Sequence, residues 1–316
     1  MAKHLLAGAV TWLRARWMRL AVLLGVATAL GIGGCAQLAE KERELTFRVV
    51  PGDASWYGGL PAGVEELDLA VPADGRTERL HAWWWRAEAP GAPAVLYLHG
   101  SRWNLTGQLS RIEQLHDFGF SVLAVDYRGF GRSEKLMPSE DTVYADARVA
   151  WQRLATLEPD PARRYIYGHS LGGAVAIDLA AHLSAGDGPV PARGLIVEST
   201  FTTLADIARA LSYDWLPVQW IMTQKFDSMT KIAQVRMPVL LAHGDADRYV
   251  PARFSQALYD AARAPKRLLL VEGGSHNNSM RLGRAAYRDA LHDFFGLREA
   301  DEAAGAPPVV TGAVRR

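Results

Sequence analysis

Arg164-Tyr165-Ile166-Tyr167-Gly168-His169-Ser170-Leu171-Gly172-Gly173-Ala174 is the stretch whose reading decides the fold. A short β-rich run, Tyr165 to Tyr167, meets Gly168-His169-Ser170-Leu171-Gly172, and a helix-compatible segment continues from Ala174 to Leu183. Strand, G-x-S-x-G and helix in that order is the context required of a nucleophile elbow. The spacing has a steric cause. A serine on a sharp strand-to-helix turn holds a strained backbone, and neighbours with a Cβ would collide there, so glycine stands at 168 and 172. The helix N-terminus beneath Ser170 offers free N–H groups to a developing negative charge. Five residues of this pattern also fit a plain glycine-rich turn, and it is the flanking strand and helix that favour the elbow.

Outward from this stretch the chain keeps one grammar. Apolar runs at Val95–Leu98, Val122–Val125, Tyr165–Tyr167, Leu195–Val197, Val239–Ala242 and Leu268–Val271 are separated by helix-length segments. Such runs predict parallel strands buried on both faces with crossover helices between them. Earlier, alternating residues predict strands over Val64–Val71 and Leu80–Arg86, with a turn at Pro72-Ala73-Asp74-Gly75. With a first strand near Leu45–Val50, these make an antiparallel start to the sheet. Between Glu198 and Pro238 lie 39 residues, longer than a crossover needs. A helix plus a small lid, about 204–230, would use that length, as would two ordinary surface helices.

The chain has 316 residues, 49% hydrophobic and 22% charged, enough to bury a sizeable core. A net charge of +1 points to neither nucleic acid nor a strongly acidic partner. The positive balance belongs to the first 34 residues, which hold Lys3, Arg14, Arg16 and Arg19 and no acid; the remainder has 31 basic against 34 acidic residues. An apolar run from Leu20 to Ile32 follows, then Gly33-Gly34-Cys35. That run is short for a spanning helix and reads as a targeting signal. Ile32-Gly33-Gly34-Cys35 resembles the lipobox of bacterial lipoproteins, which implies removal of 1–34, acylation of Cys35 and stable anchoring by several chains. Ala36 after the cysteine resembles the pattern that permits sorting to the outer membrane, facing the periplasm. Cys35 is the sole cysteine, so no internal disulfide can form. Residues 35–62 are expected to be a tether with the first strand, 63–298 the globular domain, and 299–316, rich in Ala, Gly, Pro and charge, a disordered tail.

A serine is a weak nucleophile until a base takes its proton, and the base needs a partner that fixes its tautomer. Two strands after Ser170 end in suitable groups. Val239–Ala242 runs into His243-Gly244-Asp245-Ala246-Asp247-Arg248-Tyr249-Val250-Pro251, and Leu268–Val271 into Glu272-Gly273-Gly274-Ser275-His276-Asn277. An acid and a histidine thus lie beyond the C-terminal ends of successive strands, where open α/β sheets place their ligands. Asp245 and Asp247 both compete for the acid.

From about Leu80 to Phe295 the chain resembles the α/β-hydrolase superfamily, and within it the serine-aminopeptidase-like branch that also holds acyl-protein thioesterases and esterases. The resemblance implies an α/β-hydrolase fold, mostly parallel with helices on both faces and a small lid. It assigns Ser170 as nucleophile, Asp247 as the acid of G-x-x-D-x-x-V-P, and His276 as base, leaving Asp245 to brace its loop and His99 and His243 as structural supports. His99-Gly100-Ser101 resembles the family's oxyanion element, so the Ser101 N–H is expected to act with that of Leu171. Bulky Arg102 and Trp103 follow, where many lipases have further glycines. Asp126 to Ser133 also matches the family, and Gly129 and Gly131 lack the third glycine of a dinucleotide site.

Trp103, Phe201, Trp215 and Trp220 are the expected substrate contacts. No cofactor is expected: one cysteine and scattered histidines give no zinc pattern, and no Walker lysine motif occurs. Trp83-Trp84-Trp85 reads as sheet packing, with no basic patch that would make it a nucleic-acid platform. The sequence therefore predicts a lipid-anchored serine hydrolase acting on an ester, thioester or amide of a small-molecule or acyl substrate. The alternatives are an aminopeptidase and a non-catalytic binder on the same scaffold.

Overall fold

The computed structural model describes residues 34, 36–73, 75–213 and 218–297. Residues 1–33 of the expected signal, the expected lipidation site Cys35, the expected substrate contact Trp215 and the expected tail fall outside the described residues.

Eight strands form one sheet: β1 (Val64–Ala73), β2 (Arg76–Trp85), β3 (Ala94–Leu98), β4 (Ser121–Val125), β5 (Arg164–His169), β6 (Gly194–Glu198), β7 (Val239–Gly244) and β8 (Lys266–Val271). Their spatial order is β1-β2-β4-β3-β5-β6-β7-β8. β1 pairs antiparallel with β2, and β2 with β4, while β3 to β8 are parallel throughout. The parallel strands are continuous apolar runs because both faces are covered. One face carries α3 (Glu140–Leu157), α4 (Leu171–Leu183) and α8 (Arg253–Ala261); the other carries α2 (Leu105–Asp117) and α10 (Arg284–Phe295). Side chains alternate between the two cores, so neighbours in one strand serve opposite layers. Trp84 belongs to the first core and Trp83 to the second, while Trp85 stacks on His116 with ring centroids 4.1 Å apart. The tryptophan run is sheet packing.

Helix α4 shows how completely the elbow is enclosed. Every residue from Leu171 to Ala181 is buried, as expected of a helix that is apolar all round.

One expectation fails at the N-terminal side. Residues 36–47 form a helix, α1, and no strand forms over Leu45–Val50. Phe47 at its end is fully buried against Phe226. The following backbone is hydrogen-bonded to the β3–α2 loop: Arg102 N donates to Phe47 O and Val50 N to Arg102 O, both at 2.8 Å. Asn104 Nδ2 donates to Gly52 O at 2.7 Å, and Ala54 N to Thr106 Oγ1 at 2.9 Å. A segment with those bonds is part of the folded body. The long β6–β7 connection is helical: α5 (Leu204–Ala208), a π turn over Arg209–Tyr213, α6 (Val218–Ile221) and α7 (Ser228–Ile232).

Candidate active site

Ser170 stands where β5 turns into α4, at φ 56° and ψ −122°. A non-glycine residue holds that conformation only when its surroundings impose it. Ser170 N donates to Glu198 O (2.9 Å), and Thr200 Oγ1 donates to Ser170 O (2.8 Å). The glycines let the layers close on it. A Cβ at Gly168 would lie 2.2 Å from Gly172 O, and one at Gly172 would lie 2.1 Å from Leu98 O.

The loop after β8 brings His276 to this serine, with Nε2 3.0 Å from Ser170 Oγ. Its Nδ1 donates to Asp247 Oδ2 at 2.7 Å, which leaves Nε2 as the acceptor facing the hydroxyl. Asp247 Oδ1 accepts from the amides of Tyr249 (2.8 Å) and Val250 (2.9 Å), and Oδ2 also lies 3.3 Å from His243 Nε2. Burial pushes the Asp247 carboxyl up, but the bonds from His243 and His276 outweigh it and hold the group well below the usual carboxylate range.

The rival groups are occupied otherwise. Asp245 Oδ1 accepts from Gly273 N at 2.7 Å, tying the two loops together. His99 is buried, donates from Nδ1 to Gly100 O (2.6 Å), and has its pKa pushed down by that burial. His243 bridges Ser255 Oγ (2.6 Å) and Val250 O (2.8 Å).

Gly100 and Ser101 lie against the elbow: a Cβ on Gly100 would come 3.1 Å from Ser170 Cβ. Among the described residues, neither Ser101 N nor Leu171 N has a protein acceptor. Asp126 Oδ1 accepts from Leu105 N (2.9 Å) and so fixes the start of α2 behind this loop.

Beneath the site is a network that sequence reasoning missed. Glu198, fully buried at the end of β6, accepts from Arg111 Nε (3.2 Å) and Nη2 (3.3 Å), from Ser279 Oγ (2.6 Å) and from Tyr167 OH. Ser279 follows His276 by three residues, so the network anchors the loop that carries the histidine. His169 Nε2, in turn, donates to His276 O at 2.9 Å. The available signal was an acid at the end of an otherwise apolar buried strand, which requires a partner.

In front of Ser170 opens a cavity of about 660 Å³, within the range of small-molecule sites. Trp103 and Phe201 line it, as expected, together with His169, Ser170, Leu171 and His276. Trp220 does not: it is 83% exposed and points to solvent. Its place is taken by Val218, Ile221 and Met222, because a four-residue helix turns its side chains to several sides. Leu204, Ile207 and Leu211 complete this apolar wall. The opposite wall is α1, contributing Leu38, Lys41, Glu42 and Leu45. Glu42 joins the two walls, accepting from Thr223 N (2.8 Å), Thr223 Oγ1 (2.7 Å) and Gln224 N (2.8 Å).

This sheet order and elbow define the chain as a hydrolase of the α/β fold, and comparison places it among known proteins. A family model described as serine aminopeptidase, S33, matches residues 90–228. The uncharacterized protein Rv2307c of Mycobacterium tuberculosis is 37% identical over 238 residues, which is 74% of this chain and 80% of that one. Lysophosphatidylserine lipase ABHD12 of Danio rerio is 32% identical over 224 residues, 66% of this chain and 55% of that protein. Among solved structures, the Pyrococcus furiosus esterase Pf2001 superposes with a TM-score of 0.59 at 18% identity, covering 78% of this chain and 98% of that one. The chain belongs to the α/β-hydrolase superfamily.

Proposed function

We propose that the protein is a serine hydrolase that cleaves carboxylic esters or thioesters through an acyl-enzyme on Ser170. The observation that carries this reading is the unbroken chain from Ser170 Oγ through His276 to Asp247, at the floor of a largely apolar cavity. His276 Nε2 takes the hydroxyl proton as Oγ attacks the carbonyl carbon. Asp247 holds Nδ1–H and stabilises the imidazolium, an arrangement worth about 10⁴ in turnover in comparable triads. The N–H groups of Ser101 and Leu171 receive the developing oxyanion, each contributing about 2.7–4 kcal/mol in comparable sites. Collapse expels the alcohol or thiol with the proton from His276, and water repeats the sequence on the acyl-enzyme.

An ester fits the cavity better than an amino-terminal peptide does. Recognition of a free α-amino group calls for an unengaged carboxylate beside the site. Among the described lining residues Glu42 is the one acid, and its two oxygens already accept three hydrogen bonds. Anchoring through an acylated Cys35 belongs to the same proposal. Because the described residues 36–47 of α1 follow that residue in sequence and line the cavity, the anchor would hold the cavity mouth close to a membrane surface. Among the described residues no helix is long and apolar enough to cross a membrane. Kinetics on acyl esters of graded chain length, beside aminoacyl amides, test the reading: esters should be turned over with a medium-chain optimum. Efficient cleavage of aminoacyl amides with idle esters would refute it.

A further inference from the structure

The ester-hydrolase reading above can be extended to the charge of the substrate. Among the described residues five non-glycine positions have left-handed φ, and one of them is Ser170 at the elbow. Two others, Arg48 (φ 49°) and Arg102 (φ 83°), are brought together at the cavity by the pair of backbone bonds joining Phe47 and Val50 to Arg102. Left-handed backbone at a long side chain is unfavourable and persists where the surroundings enforce it, often at ligand clamps. Both arginines line the cavity, and Arg102 directly follows Ser101.

Nothing among the described residues compensates their charge. Among the described residues no carboxylate or carbonyl is bonded to either guanidinium. Glu42 is engaged with Thr223 and Gln224, and Glu44 is ion-paired with Lys41, so neither of these two acids of α1 is bonded to the arginines. Two guanidinium groups that line one cavity, with no described carboxylate on either, offer complementary charge and donors to an anion. Across the cavity the wall formed by α5 and α6 is apolar. The site is therefore amphipathic, with an apolar side for a chain and a cationic side next to the nucleophile.

We propose that Arg48 and Arg102 form an anion subsite, and that the preferred substrate is a medium- or long-chain acyl ester whose alcohol portion carries a phosphate or carboxylate group. The acyl chain lies along Leu204, Ile207, Leu211, Val218, Ile221 and Met222. The anion accepts hydrogen bonds from the two planar guanidinium groups, which match phosphate and carboxylate geometry.

The test compares kcat/KM for three soluble substrates sharing one chain: 1-decanoylglycerol, its 3-phosphate, and decanoylglycerate. Wild-type protein is measured beside Arg48→Gln, Arg102→Gln, the double variant and the matching lysine variants. The readout is the anionic-to-neutral ratio within each protein, which does not depend on the folded fraction. Wild type should prefer at least one anionic ester by tenfold or more, with each glutamine lowering the ratio by about tenfold and lysine retaining part of it. Raising salt to about 0.5 M should shrink the wild-type ratio and leave that of the double variant unchanged. Whichever anion shows the arginine-dependent preference identifies the headgroup. A wild-type ratio near one, or a ratio unchanged in the double variant, would overturn the subsite while leaving ester hydrolysis standing. If none of the three esters were hydrolysed, the ester-hydrolase reading would fall and this inference with it.

Discussion

Glu198→Gln tests the physical account where it is most exposed to failure. The carboxylate is fully buried and faces the Arg111 guanidinium at 3.2 and 3.3 Å. Glutamine keeps the shape and an acceptor for Ser279, but leaves the buried guanidinium without a counter-charge. Breaking one side of a buried pair costs about 3–5 kcal/mol, which for a domain of this size lowers Tm by roughly 6–20 °C. Replacing both partners, Glu198→Gln with Arg111→Met, should recover most of that loss because no charge remains stranded. The pH dependence has a definite sign. Burial raises the Glu198 carboxyl, but Arg111 and the bonds from Ser279 and Tyr167 bring it down to about 2. A group whose folded pKa is depressed stabilises the fold above its unfolded value, about 4.3, and that contribution is lost as pH falls toward the folded value. The stability gap between wild type and Glu198→Gln should therefore be widest near neutrality and narrow below about pH 4.3. Thermal and urea melts followed by circular dichroism between neutral and acidic pH give all of these quantities. A single variant within about 1 kcal/mol of wild type, or a double variant no better than the single one, would refute the argument.

Asp247→Asn should lower kcat by about 10⁴ through loss of the tautomer-fixing carboxylate, whereas Asp245→Asn, which weakens only the bond to Gly273 N, should cost less than tenfold; steady-state kinetics on one ester decide between them. Ile221→Ala and Met222→Ala should reduce kcat/KM several-fold more for decanoyl than for acetyl esters, each lost methylene contact being worth about 0.8 kcal/mol, while Trp220→Ala, removing a side chain that is 83% exposed, should leave the chain-length profile unchanged. Cys35→Ser should move the protein from the membrane to the soluble fraction with ester turnover intact, and a mature wild-type chain retaining residues before Cys35 would count against processing.

The parallel half of the fold was legible because its strands are buried on both faces, and double burial leaves an unbroken apolar run that few other structures produce. The Ser170 elbow was legible for a steric reason: only glycine fits at 168 and 172, so the geometry is written in residue identity. Strand ends pointed to a histidine and to two competing acids, the family resemblance chose His276 and Asp247 among them, and the structure brings both to Ser170. What stayed hidden depends on contacts distant in sequence. Residues 36–47 carry few apolar side chains, and those chiefly line a cavity, so no strong periodic stripe announces α1; Glu42 acquires its role only through Thr223 and Gln224. The Trp220 expectation failed because an apolar residue in a long connection does not say which way its side chain points, and α6 is too short to present a single face. Arg111 and Glu198 lie 87 residues apart, and local pattern has no means of pairing them.

The central claim is that Ser170, activated by His276, is the nucleophile. Intact-protein mass spectrometry after brief treatment with a fluorophosphonate tests it most directly, on wild type and on a Ser170→Ala variant shown by circular dichroism to be folded. Wild type should gain the mass of one phosphonyl group, mapped to the peptide containing Ser170, and Ser170→Ala should gain none and hydrolyse no ester. Stoichiometric labelling or undiminished turnover in Ser170→Ala would contradict it.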